Sequence, residues 1–296
     1  MDWEKYEVLL TVLEEGSLTR AAERLSYTPS GISRMIASME RENGFPLLVR
    51  SREGVRATEE CEMLLPSVRE LSYWGRRLEE QAGSIRGVES GVLRAGTSYD
   101  AFYPWLSELI AGFSAEHPGI QMDILEGTSS ELTEAVTERK CDFCIVSYRE
   151  GPFRFVRLLR DEVVALVPAG HPLAELDAVP LKAVEKEPFI DFYPKKETDN
   201  SRIFEKYRIT PATRFATTDR FAGYAMVKSG LGLGMENRLI ARRYGDTVAV
   251  RSLDPPQYVD IGIVYPEETV ISPAARAFAS YALARPAGDI LDRKEI

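Results

Sequence analysis

The run from Glu14 to Glu40, EEGSLTRAAERLSYTPSGISRMIASME, constrains the fold more than any other stretch. Two short helical patterns flank Ser26, Tyr27 and Thr28, and a three-residue connection forces two helices into a sharp corner. Ser17 is a suitable N-cap for the first helix, whose apolar side is Ala21, Ala22 and Leu25. The small alanines let another helix cross closely, and Leu25 and Ile32 pin the crossing. Thr28 is a suitable cap for the second helix. Pro29 stands where a helix tolerates a missing amide, because that N–H has no intrahelical partner. Ile32, Met35, Ile36 and Met39 form its apolar stripe. Gly31 costs about 1 kcal/mol of helix propensity relative to alanine, so its presence on this helix asks for a reason.

Sequence on either side completes a small domain. Tyr6, Leu9, Leu10 and Leu13 predict a helix after Asp2 that stops at Gly16, and Gly44 stops the third helix after about residue 41. Residues 47–58, with Glu53 and Gly54 at the turn, predict a two-stranded wing. The stripe on the third helix leaves Ser30, Gly31, Ser33, Arg34, Ala37, Ser38 and Arg41 facing outward, short or basic side chains of the kind a DNA major groove admits. Residues 20–56 carry Arg20, Arg24, Arg34, Arg41, Arg50, Arg52 and Arg56 against Glu23, Glu40, Glu42 and Glu53. The candidate DNA contacts are Thr19, Arg20, Thr28, Pro29, Ser30, Gly31, Ser33, Arg34 and Ser38, with Arg50, Arg52 and Arg56 on the wing. A plain helical hairpin with a polar face matches the same pattern. The chain's net charge of -9 argues against nonspecific coating of nucleic acid, so any positive face is local.

Residues 59–86 read as one helix in which Leu64, Val68, Leu71, Gly75, Leu78, Ala82 and Ile85 recur at heptad spacing. That seam predicts a paired helix; an amphipathic helix packed on its own domain is the other reading. Pro66 kinks this helix or marks a later start. Residues 87–91 read as a hinge.

Beyond the hinge, strand and helix patterns alternate: strands over 92–96, 121–126 and 142–146, helices over 103–117 and 130–139. A second set follows, with strands over 162–167, 189–192 and 262–265, helices over 201–206 and 220–229, and a last helix over 273–283 that packs back on an earlier unit. Alternation of this kind predicts a parallel sheet with helices on its faces. Ligands bind such sheets beyond the carboxyl ends of the strands. Three of those ends carry hydroxyls: Thr97-Ser98, Thr128-Ser129-Ser130 and Ser147-Tyr148. The first two open helices, whose N-termini favour anions. Each loop is also an ordinary N-cap, and it is their convergence that points to a ligand. Tyr99 stands beside the first loop; Tyr193, Thr218, Met235 and Glu236 are candidates across the cleft.

Composition excludes several classes. A chain of 296 residues, 44% hydrophobic and 28% charged, is globular and long enough for more than one core. It lacks a membrane-length apolar run and a signal-peptide core, which implies a cytoplasmic protein. Cys61, Cys141 and Cys144 cannot all pair with one another, and with His117 and His171 they offer no zinc pattern. Cys141 and Cys144 at the start of a strand are expected to point to opposite faces, which disfavours a redox pair. Gly230-Leu231-Gly232-Leu233-Gly234 has neither phosphate fingerprint and reads as a helix-to-strand turn.

The run Gly16-Ser17-Leu18-Thr19-Arg20-Ala21-Ala22, then Leu25, Thr28 to Arg34, Met39-Glu40, Asn43-Gly44, Leu47, Arg50 and Thr58, resembles the N-terminal domain of LysR-type transcriptional regulators. Pro168 to Ala174 and Gly230 to Gly232 resemble segments of that family's sensor. The chain departs from the family at Pro29, where glutamine is usual, at Leu48 (phenylalanine) and at Cys61 (glycine). The resemblance implies an α/β protein with a winged helix-turn-helix over 1–58, a linker helix and hinge over 59–87, and a two-lobed periplasmic-binding-protein-like sensor over 88–296. Lobe I would comprise 88–161 and 267–296, and lobe II 162–266. It implies double-stranded operator DNA with interrupted inverted repeats, a small-molecule effector, a homodimer or homotetramer, and RNA polymerase as a further partner. The anion-favouring loops and nearby aromatics suggest a small carboxylate or aromatic acid. Neither a cofactor nor a metal is implied. The alternative is a small-molecule-binding module without sequence-specific DNA binding. No Ser-His-acid order, metal cluster or phosphate loop supports an enzyme.

Overall fold

The computed structural model describes residues 3–51, 54–85, 91–242, 248–267 and 272–284. It divides into two compact units, 1–91 and 92–296.

The first unit holds α1 (Glu4–Glu15), α2 (Leu18–Leu25), α3 (Pro29–Asn43), the hairpin β1 (Leu48–Ser51) and β2 (Gly54–Ala57), and α4 (Glu59–Ile85). Its caps follow from local chemistry. Gly16 ends α1 in the left-handed region at φ 57, Ser17 accepts from Arg20 N to start α2, and Gly44 ends α3 at φ 81. Asp2, the expected first cap, lies outside the described residues; Trp3 precedes α1 and makes no cap bond. Val8, Leu9 and Val12 of α1 pack with Ala21, Ala22, Ile32, Ile36, Met39, Leu47, Cys61 and Val68. Burying one side chain of the size of Ile32 or Ile36 contributes roughly 1.5–3 kcal/mol. The wing is tied to the α1–α2 corner by Val55 N donating to Gly16 O at 2.9 Å. Gly54, at φ 128, is needed there: a Cβ would lie 2.8 Å from that same carbonyl.

Helix α4 starts at Glu59, ahead of Pro66, and is helical through it, so the later start does not occur. The expected seam is divided between two faces. Cys61 and Val68 are buried in the core of the unit and Leu64 packs against it. Gly75 has a packing role: a Cβ there would sit 2.4 Å from the Trp3 ring, which packs against the bare backbone. Met63, Leu71, Trp74, Leu78 and Ile85 remain exposed. At 3.6 residues per turn these five fall within an arc of about 80°.

The second unit comprises β3 (Gly91–Thr97), α5 (Tyr103–Glu116), β4 (Ile120–Glu126), α6 (Ser129–Thr137), β5 (Phe143–Ser147), β6 (Phe153–Val167), β7 (Ala178–Pro180), β8 (Phe189–Phe192), α7 (Asp199–Tyr207), β9 (Thr213–Thr217), α8 (Arg220–Lys228), β10 (Gly234–Asn237), α9 (Arg238–Ala241), β11 (Ala249–Pro266) and α10 (Pro273–Leu283). The main sheet has the order β10-β6-β11-β5-β3-β4, with β7 on β11. It is mixed rather than parallel. β3 pairs parallel with β5, but β11 runs antiparallel to both β5 and β6. β8 and β9 make a separate parallel pair.

The expected strands at 162–167 and 262–265 are the apolar ends of two much longer strands. Their other halves interleave charged residues such as Arg154, Arg157, Asp161 and Asp260, which hides the strand pattern. β11 reaches both halves of the unit, pairing Ile261 with Ser147 on β5 and Arg251 with Ala165 on β6. One core gathers Leu93, Leu106, Leu109 and Phe113 with Phe278, so α10 does pack back on α5. Another gathers Val163, Ala165, Phe189, Ile203 and Leu233 under α7. These halves are two lobes of one unit.

The cysteines at 141 and 144 do not point to opposite faces. Both are buried, free and part of one cluster with Leu132, Val136, Val146 and Val264. The strand begins only at Phe143, so strand alternation does not govern Cys141. Burial pushes the Cys141 thiol up to about 12 and the Cys144 thiol upward as well.

Candidate functional site

In the first unit, burial of Ile32, Ile36 and Met39 fixes which face α3 presents. Thr19, Arg20, Thr28, Pro29, Ser30 and Arg34 are exposed, and Gly31, Ser33 and Ser38 are half-buried. Arg50 from the wing reaches α3, its Nη2 lying 3.4 Å from Ser33 Oγ, and Arg56 is exposed on β2. Arg52 lies outside the described residues. Not every member of the set is equally available. Arg20 is tied to Glu15 by an ion pair of 3.7 Å and by a hydrogen bond to the Glu15 carbonyl. Ser38 donates to Glu42 at 2.8 Å, the main reason the Glu42 carboxyl sits below its usual range. Arg34 spends its Nε on the Ser30 carbonyl at 3.3 Å. Gly31 has a local reason as well as an outward one. Its amide donates to Thr28 Oγ1 at 3.1 Å, and a Cβ would press that oxygen at 3.0 Å.

In the second unit, the three hydroxyl-bearing strand ends converge. Ser98 Oγ and Ser129 Oγ share a hydrogen bond of 2.9 Å, and Ser129 Oγ accepts from Ser147 N at 3.1 Å. Thr128 caps α6 in a reciprocal pair with Glu131. Opposite them stand Asp199 and Asn200 at the start of α7, Arg220 at the start of α8, and Glu236 and Asn237 on β10. Between the walls lies a cavity of about 40 Å³, lined by Ser98, Tyr99, Thr128, Ser129, Tyr193 and Glu236 among others. A neighbouring cavity of about 210 Å³ shares Ser98, Tyr193 and Arg220 and adds Thr97 and Asp219. Tyr193 has a left-handed backbone at φ 64, costly for a bulky residue and a feature that clusters at ligand sites.

Ser147 lies behind the lining, its hydroxyl bonded to Ser129 and Asp199, and three further expected cleft residues fall outside both cavities. Met235 points into the core beneath β10 and offers only its carbonyl, to Asn200 Nδ2 at 2.8 Å. Tyr148 is half-exposed and packs edge-on against Phe155. Thr218 is exposed and precedes Asp219, the residue that caps α8. In each case the residue beside it in sequence, or its backbone, takes the place expected of the side chain.

The sequence reading missed the charges in the site. Arg149 Nη1 lies 2.8 Å from Ser147 Oγ and 3.0 Å from Asp199 Oδ1, and its Nε donates to Ser130 Oγ at 2.8 Å. Arg220 pairs with Glu236 at 3.1 Å and donates to the Ser98 carbonyl at 2.9 Å. Burial is the largest influence on Arg220 and opposes its charge, but Glu236, Tyr193 and Asp100 together outweigh it and hold the guanidinium protonated. Burial likewise lifts the Glu236 carboxyl, against the pull of Arg220. Tyr99, fully buried, is pushed well upward by burial and then by Asp199, so its hydroxyl stays a donor, to Asp199 Oδ2 at 3.2 Å. The available signal was position: Arg149 follows Ser147 by two residues at a strand end, and Arg220 follows a helix cap.

Residues 3–62 match the family described as "Bacterial regulatory helix-turn-helix protein, lysR family", and residues 86–287 match "LysR substrate binding domain". The chain belongs to the LysR family of transcriptional regulators. It is a regulator with a helix-turn-helix DNA-binding domain and an effector-binding domain, in a family of regulators rather than enzymes. Among LysR relatives, the uncharacterized HTH-type transcriptional regulator YvbU of Bacillus subtilis (strain 168) is 27% identical over 279 residues, 93% of this chain and 96% of YvbU. A full-length OxyR variant from Pseudomonas aeruginosa superposes with a TM-score of 0.68 at 18% identity, covering 95% of this chain and 94% of that one. Full-length CbnR in complex with its target DNA gives a TM-score of 0.59 at 18% identity, covering 96% and 99%. These likenesses show the LysR fold: a helix-turn-helix region followed by an α/β effector domain. Among the described residues, no helix is long and apolar enough to cross a membrane, and no cluster of His, Cys, Asp or Glu is placed to hold a metal.

Proposed function

We propose that this LysR-family regulator works in the cytoplasm, reading an operator with α3 and the wing and sensing a small effector in the cleft of the second unit. Residues 1–58 carry the DNA contacts, 59–87 the pairing of chains, and 88–296 the sensor. The observation that carries the reading is the α3 stripe: burial of Ile32, Ile36 and Met39 holds Ser30, Ser33 and Arg34 outward, with Arg50 beside Ser33. Thr28, Pro29, Gly31, Ser38 and Arg56 complete the proposed face. CbnR, the DNA-bound neighbour, supports the docking mode through its fold alone.

Two such chains pair through the exposed stripe of Met63, Leu71, Trp74, Leu78 and Ile85 on α4, and a two-fold pair sets the spacing of two half-sites. A tetramer built from two pairs, and contact with RNA polymerase, belong to the same reading. The effector side consists of Ser98, Tyr99, Thr128, Ser129, Ser147, Tyr193 and Glu236, joined by Arg149, Asp199 and Arg220. Thr97 belongs to its neighbouring cavity. An effector acts only through a difference in affinity between two states of the chain.

Fluorescence anisotropy of a labelled duplex tests the DNA half of this reading. Affinity should fall steeply with salt, as expected when arginines displace counterions. Arg34→Ala should lose more on the chain's own operator than on random duplex, on the order of 1–3 kcal/mol for a base contact. Equal losses on both would reduce Arg34 to a phosphate contact, and no binding to either would sink the reading.

A further inference from the structure

We propose that Asp199 is a tethered stand-in for a ligand carboxylate. It fills an anion pocket made by Tyr99, Ser147 and Arg149, and the ligand that opens the cleft is a small carboxylate that takes its place. This deepens the effector reading above and rests on it.

The pocket is built rather than incidental. Asp199 stands on the second lobe, yet its carboxylate partners are all on the first: Ser147 Oγ at 2.6 Å, Arg149 Nη1 at 3.0 Å and Tyr99 Oη at 3.2 Å. Behind them, the Ser147 hydroxyl is backed by Ser129 at 3.0 Å, and Ser129 by Ser98. A carboxylate that accepts from two hydroxyls and a guanidinium is held as a bound acid would be. Asp199 is not needed for its own helix, because Thr198 caps α7 in a reciprocal pair with Ser201.

The fit is also incomplete, which separates a stand-in from a dedicated structural partner. Asp199 engages only one terminal nitrogen of Arg149. The other, Nη2, is buried with no hydrogen-bond partner among the described residues, and the Arg149 side chain is only 7% exposed. A free carboxylate can take both nitrogens in a fork, which a side chain fixed to the start of α7 does not do here. Asn237 Nδ2, lining the same cavity, is a second buried donor without a partner. The unmet groups in this cavity are donors, so the missing ligand atoms are acceptors.

Space decides between joining Asp199 and replacing it. The cavity of about 40 Å³ has room for a few waters. A ligand carboxylate that takes the Arg149 fork therefore competes with Asp199 for the same donors. That exchange would also strain the other bonds between the lobes: Lys196 to Glu131 at 2.8 Å, Arg202 to the Tyr148 carbonyl at 3.2 Å and Arg220 to the Ser98 carbonyl at 2.9 Å. The bound acid and the tethered one compete for a single pocket, so occupancy is read directly as the position of α7.

The test is chemical rescue in the full chain. Thermal unfolding of the wild type, Asp199→Ala and Arg149→Ala/Asp199→Ala is followed in sodium acetate and in sodium chloride at equal ionic strength. The single variant should melt lower than the wild type in chloride and gain a few degrees in acetate, rising with the logarithm of acetate concentration. The wild type should respond far less, because its pocket is filled, and the double variant should show no acetate-specific gain. An acetate response equal in wild type and Asp199→Ala, or retained in the double variant, would overturn the proposal. Asp199→Ser serves the same comparison should the alanine variant not fold. DNA binding by the same wild-type preparation separates the two ideas. Rescue without DNA binding leaves the pocket standing and removes the proposed operator contacts; DNA binding without rescue does the reverse.

Discussion

Removal of Arg220 should expose how much the cleft depends on buried charge. Its guanidinium faces Glu236 at 3.1 Å, with side-chain exposures of 20% and 9%, and also holds the Ser98 carbonyl at 2.9 Å. In Arg220→Ala the Glu236 carboxylate is left buried without its cation, and breaking such a pair costs about 3–5 kcal/mol. For a unit of this size that is a fall of about 6–20 °C in melting temperature. The loss should depend on pH with a definite sign. Burial already lifts the Glu236 pKa, and Arg220 is the largest opposing influence, so the variant lifts it further. The folded chain then binds that proton more tightly than the unfolded one. Its stabilising contribution is full below the unfolded value and disappears as pH rises through the raised folded value. Melting followed by circular dichroism should therefore show a larger deficit at about pH 8 than at about pH 5. Arg220→Met/Glu236→Met, which replaces the pair with apolar bulk, should recover most of the loss. A deficit that is absent, or that grows as pH falls, would refute the reasoning.

Further outcomes follow from single contacts. Thr28→Ala removes the cap of α3 and should cost about 1 kcal/mol in urea unfolding, with a matching loss of DNA affinity because the same turn begins the proposed interface. Leu71→Glu/Leu78→Glu places charges on the exposed stripe of α4; light scattering should show a shift toward monomer while helical content is unchanged. Native Cys141 should resist alkylation near neutral pH and react only after unfolding, since burial holds its thiol up at about 12; fast labelling of the folded chain would contradict the packing described.

Legibility in the sequence followed the physics of each element. The first unit was readable because its caps and stripe are local: Ser17, Thr28 and Gly44 sit where short-range hydrogen bonding requires them, and Ile32, Ile36 and Met39 recur at helical spacing. The order β3-α5-β4-α6-β5 at the start of the second unit was readable for the same reason. What did not show was anything set by distant partners. Nothing near Gly75 in the sequence shows that the Trp3 ring packs against its bare backbone. β9 has a largely exposed, mixed sequence and drew no strand signal, while the charged halves of β6 and β11 concealed strands of 15 and 18 residues. In the cleft, hydroxyls were found because they cluster at strand ends. In the sequence Arg149, Asp199 and Arg220 are charged residues without such clustering, and only tertiary burial turns them into a charged lining.

The central claim is that α3 and the wing read a defined DNA sequence, and selection of bound duplexes from a random pool tests it most directly. The account predicts enrichment of an interrupted inverted repeat whose two halves are related by the two-fold pairing of chains, and loss of that enrichment in Arg34→Ala. Recovery of an unbiased pool, with wild type and Arg34→Ala retaining DNA equally and only through a salt-sensitive term, would contradict it.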